Sequence, residues 1–106
     1  MIYRHTKEGL INRIYNRQLY RSRHNGITVE YSYSEFVNWI KRQEDRFLLL
    51  YLNWVSNDFK KDKVPSVDRI DPAGHYSLDN IQLVDWAFNN DKGNKERKRS
   101  LNKCNQ

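Results

Sequence analysis

The hydrophobic period changes once along this chain, at Pro65, and that change sets what it can fold into. Before Pro65 the apolar residues recur at helical spacing. In residues 7–24, Leu10, Ile11, Ile14, Tyr15 and Leu19 form one stripe, with Thr6 placed to cap its start. Asn25 and Gly26 stop that helix. Ser32 with Glu35 three residues on is a capping-box pair, followed by Phe36, Val37 and Ile40 on one face. A third helix is expected over residues 45–59, with Phe47, Leu50, Tyr51, Trp54 and Val55 turned inward.

After Pro65 the pattern is that of short strands. Residues 66–70 are β-branched at Val67 and Ile70, Asp71-Pro72-Ala73-Gly74 is turn chemistry, and residues 80–84 alternate as a returning strand. Asp85 can cap a last helix carrying Trp86, Phe88 and Asn89. The expected class is α+β: about three N-terminal helices followed by a ββα unit. A single domain is expected over residues 1–106, divided into a helical part (1–62), the ββα unit (63–95) and a basic tail (96–106). A chain of 106 residues can bury a core without disulfides.

The net charge of +6 favours an anionic partner, because clustered Lys and Arg gain affinity by releasing phosphate counterions. Arg13, Arg17 and Arg21 repeat every fourth residue and line one face of the first helix, which suits a phosphate backbone and equally suits a solvated stripe. Lys92, Lys95, Arg97, Lys98 and Arg99 form a denser cluster near the C-terminus. Trp39, Trp54 and Trp86 have apolar neighbours and are expected in the core. The longest apolar run, residues 47–52, is too short to span a bilayer, and the N-terminus lacks the apolar stretch of a signal peptide. No membrane association is expected; the expected location is cytoplasmic. Cys104 is the single cysteine, so neither an internal disulfide nor a zinc knuckle is expected.

Three segments carry a resemblance: Val67-Asp68-Arg69, then residues 78–84 reading LDNIQLV, then Asn89 followed three residues later by Lys92-Gly93. Together they resemble the HNH endonucleases, also described as His-Me finger or ββα-metal nucleases. Closer still is a group of short phage-type HNH-like proteins that share Pro65-Ser66, Asp68-Arg69, Asp71 and the LDNIQL run. The resemblance implies a metal-dependent DNA endonuclease acting on double-stranded DNA, with Asp68 and Asn89 as metal ligands. Asn90 is the register rival of Asn89. A carboxylate and an amide oxygen suit a hard cation, so Mg²⁺ or Mn²⁺ is expected and zinc is not. The competing reading of Asp68 is a strand-end carboxylate paired with Arg69 or Lys92. Asn80 is expected to hold the loop between the strands, as the family's middle asparagine does.

One residue departs from the family pattern. Arg69 stands where a catalytic histidine normally follows the aspartate, and a guanidinium has no proton-accepting form near neutrality. Arg69 is expected to contact the scissile phosphate instead. Asp71, two residues along and on the same face of a regular strand, and His75, in the turn, are the candidate bases; attack by water without a protein base is a further alternative. His5 and His24 lie in other segments. The missing histidine also motivates a second reading, a binding protein on a nuclease-like scaffold that attaches to DNA or a host protein without chemistry. Target sequence, nick versus double-strand cut and oligomeric state have no signature in the chain.

Overall fold

A computed structural model describes residues 2–88. Its first α-helix, α1 (Lys7–Asn25), starts where Thr6 Oγ1 accepts the amide N–H of Gly9 at 3.0 Å and ends at Gly26, whose φ of 67° is left-handed. The second, α2 (Tyr33–Lys41), opens on the expected capping box: Ser32 Oγ accepts from Glu35 N at 3.1 Å, and Ser32 N donates to Glu35 Oε1 at 3.0 Å. Removing one half of that pair in Ser32→Ala should cost about 1 kcal/mol. Thermal melts should show a fall of about 4–8 °C.

The third helix, α3 (Glu44–Ser56), is shorter than the period suggests. Apolar spacing runs on to Phe59, but Asp58 and Phe59 have φ of 56° and 59°. Phe59 N donates to Trp54 O at 3.0 Å and Asp58 N to Val55 O at 3.1 Å, which is the bonding of a Schellman terminus. The Phe59 ring is thereby folded back onto Trp54 (centroids 5.0 Å apart) and stacked on His5 at 3.8 Å. Phe59 is inward-facing as an apolar residue should be, yet it is not helical.

Two strands follow, β1 (Pro65–Arg69) and β2 (Ile81–Asp85), paired antiparallel with Asp68 opposite Gln82 and Val67 opposite Leu83. Each lies within a residue of its expected place. Ile70 has left the strand, although its N–H still donates to Asn80 O at 2.8 Å and closes the hairpin. Asp85 Oδ1 accepts from Phe88 N at 2.8 Å, capping the helical turn at residues 86–88. The rest of that expected helix, with Asn89 and Asn90, lies outside the described residues, as do the basic cluster and Cys104. The described residues are thus α+β: three α-helices and a two-stranded antiparallel sheet.

One buried cluster joins all of these elements, with Leu10 and Ile14 from α1, Phe36 and Ile40 from α2, Phe47, Tyr51 and Trp54 from α3, and Val67, Ile81 and Leu83 from the sheet. Trp39 and Trp86 pack against it half-buried, so the tryptophans are core residues and not stacking platforms. Val84 is also buried but does not belong to that cluster. The alternation of a strand explains this: Val67 and Leu83 face the helices, while Ser66, Asp68, Gln82 and Val84 leave on the other face of the sheet. Among the described residues no helix is long and apolar enough to cross a membrane.

Candidate functional site

Asp68 is the buried carboxylate of this hairpin, 9 % exposed. Its neighbour across the ladder, Gln82, donates from Nε2 to Asp68 Oδ2 at 3.0 Å. A buried carboxylate held by a strand partner is costly unless it is hydrogen-bonded or faces a cation. Its residue type fits a hard divalent ion. Among the described residues no group of three or more His, Cys, Asp or Glu side chains gathers. The expected donor set is smaller than that, one carboxylate and one amide, and its second member, Asn89, lies outside the described residues.

Beyond Asp68 the chain forms a loop held by two side chains. Asn80 Oδ1 accepts from Asp71 N at 2.9 Å, and its Nδ2 donates to Asp71 O at 3.2 Å and His75 O at 2.9 Å. An asparagine suits this position because only an amide offers an acceptor and two donors side by side. A Cβ on Gly74 would lie 2.8 Å from that Nδ2, so a side chain there would displace the amide. Arg69 is the second staple: its Nη1 donates to Pro72 O and Gly74 O, both at 2.7 Å, and its guanidinium lies 5.4 Å from the Tyr76 ring centre. Arg69 thus has a loop-holding role that the sequence did not suggest, with one guanidinium nitrogen committed to loop carbonyls.

Both candidate bases accept a backbone N–H. Asp71 does not share a strand face with Arg69, because β1 ends at Arg69 and Asp71 belongs to the turn. Its Oδ1 accepts from Ala73 N at 3.0 Å, an Asx turn that the Asp-Pro sequence favours. His75 Nδ1 lies 2.9 Å from the amide N of Thr28. A backbone N–H can only donate, so Nδ1 is the acceptor and the neutral ring carries its proton on Nε2. In that tautomer the exposed nitrogen has no lone pair for a water proton. The loop is docked further by Tyr76, whose N donates to Thr28 O at 3.0 Å and whose O accepts from Glu30 N at 2.8 Å. His5 stacks on Phe59, and His24 Nδ1 lies 2.9 Å from Tyr20 O, so neither approaches Asp68.

The arginine stripe of α1, exposed at Arg13 and Arg17, also borders a cleft. Arg13, Arg17 and Arg21 line a cleft whose other wall is residues 64–67 and Tyr76. Partial burial, then Arg21 and Arg13, hold the Arg17 guanidinium below its ordinary pKa. The stripe reading had no place for Gln18, which is 3 % exposed in the same cleft. The signal was available: Gln18 stands four residues after Ile14 and eight after Leu10, in register with the apolar stripe. Lys92, Lys95, Arg97 and Lys98 fall outside the described residues. Compared with known proteins, the chain matches no family model, no curated protein and no solved structure.

Proposed function

We propose that this protein is a metal-dependent DNA endonuclease of the HNH type, hydrolysing phosphodiesters in double-stranded DNA. The observation that carries the reading is the hairpin itself: a buried Asp68 on β1, and an Asn80 that binds both ends of the loop following it. An asparagine spent on three loop contacts keeps the strand end in one position, which a site needing sub-ångström placement requires.

In this reading Asp68, with Asn89 from the segment after β2, holds Mg²⁺ or Mn²⁺. When bound, such an ion supplies Lewis-acid polarisation of the phosphoryl oxygen and stabilises the departing 3′ oxygen. Gln82 orients the Asp68 carboxylate through Oδ2. Arg69 fixes the loop through Nη1, and any contact of its guanidinium with phosphate uses its other nitrogens. With His75 presenting an N–H at Nε2 and Asp71 held in its Asx turn, no histidine base stands ready for the attacking water in this reading. Slow turnover follows, since a positioned base contributes about 10²–10⁴-fold. The test is supercoiled plasmid incubated with Mg²⁺ or Mn²⁺ and, in parallel, with chelator. Relaxed or linear product only with the divalent ion is expected; none under either condition ends the proposal.

The second reading, DNA binding without cleavage, draws on the same absence of a base. It predicts salt-sensitive duplex binding that chelator leaves unchanged and no product at any metal concentration.

A further inference from the structure

The cleft between α1 and β1 touches the hairpin loop only at Tyr76, and Asp68 is not part of its lining. Its chemistry is one-sided. Arg13, Arg17 and Arg21 stand along one wall, a turn apart, and among the described residues no Asp or Glu lines the cleft. The charges that act on Arg17 are the other two arginines and the Tyr76 hydroxyl, with no carboxylate among them. Like charges at this spacing repel.

At the same place a hydrogen-bond donor is left over. Gln18 is buried, and its Oε1 accepts from the Tyr31 hydroxyl. Burial, then Tyr76 and Tyr15, push the Tyr31 pKa far up, so that hydroxyl keeps its proton. With Oε1 taken by Tyr31, the other end of the Gln18 amide is Nε2, and that atom is buried with no partner among the described residues. Three guanidinium groups with no carboxylate beside them in the described lining, and an N–H donor with no partner among the described residues, call for one and the same ligand, a compact anion rich in lone pairs.

We propose that the α1–β1 cleft is a metal-independent oxyanion site that seats a single phosphate group, held by Arg13, Arg17 and Arg21 and by Gln18 Nε2. It rests on the proposed nuclease reading only for the owner of that phosphate. In the duplex case it is a backbone phosphate away from the scissile bond, which anchors the DNA while Asp68 addresses another.

The experiment uses the full chain with chelator present, so that no divalent ion contributes. Inorganic phosphate and a short DNA duplex are titrated separately, following the side-chain amide resonances of Gln18 and the affinity of each ligand. Both ligands, or the duplex alone, should move the Gln18 amide signals. Arg17→Ala, which alters an exposed side chain and should melt like the wild type, should weaken the responding ligand about tenfold or more. A response to duplex but not to inorganic phosphate assigns the group to the DNA backbone. A response to both, with phosphate displacing duplex, assigns it to a free or terminal phosphate. Silent Gln18 signals with both ligands, or Arg17→Ala affinities within twofold of wild type, overturn the site. A wild type that cuts plasmid yet leaves Gln18 silent loses this site and keeps the nuclease; one that responds in chelator but never cuts keeps the site and loses the nuclease.

Discussion

Asp68→Asn should abolish divalent-dependent cleavage while leaving the protein folded. The substitution is nearly isosteric, and the Asn oxygen can accept the Gln82 Nε2–H that Asp68 Oδ2 accepts now, so the strand pair keeps its cross-ladder bond. What disappears is the negative charge that would hold a hard cation. Metal stabilisation of the phosphoryl transition state is worth several kcal/mol, and a loss of about 4 kcal/mol corresponds to a rate reduction on the order of 10³. Initial rates of plasmid relaxation across a Mg²⁺ or Mn²⁺ series, paired with melting curves, measure both halves. Cleavage within tenfold of the wild type would remove Asp68 from the metal site and leave it as a strand carboxylate.

The second large effect is expected at Asn80. Asn80→Ala deletes three hydrogen bonds at once and leaves the amide of Asp71 and the carbonyls of Asp71 and His75 to find water. At about 1 kcal/mol per bond the loss is about 2–3 kcal/mol, a fall in melting temperature of about 10–20 °C. Asn80→Asp should be no better than Ala, because a carboxylate keeps the acceptor for Asp71 N but sets a negative charge against two carbonyls. Cleavage should fall by more than the folded fraction accounts for, since the loop begins directly after the strand that carries Asp68. Melts of both variants and cleavage at a temperature where each is folded check this. An Asn80→Asp protein as stable as the wild type would mean that the amide donors contribute nothing.

These two positions differ in how far the sequence alone could carry them. Asn80 was legible with its role, because the amide acts within its own hairpin loop and its most distant partner, Asp71, is nine positions away. Asp68 was legible as a candidate, but its burial and its pairing with Gln82 required the hairpin register. Arg69 was legible as a cation but not as a loop staple. A cation after a metal-binding aspartate suggests phosphate, yet the turn curls Pro72 O and Gly74 O back to within 2.7 Å of its Nη1. His75 shows the limit most plainly, since what decides its tautomer is the amide of Thr28, 47 residues away.

The sequence by itself determined the three helices, the N-caps of the first two, the switch to strands at Pro65 and the turn at Asp71, because each depends on groups a few residues apart and on the period of apolar side chains. Only the tertiary structure decided that the arginines of α1 border a cleft, that Gln18 is buried among them, and that His75 Nδ1 accepts the Thr28 amide. The reason is physical: local propensity fixes dihedral angles, whereas the partner of a polar side chain is fixed by which distant segment packing brings to it.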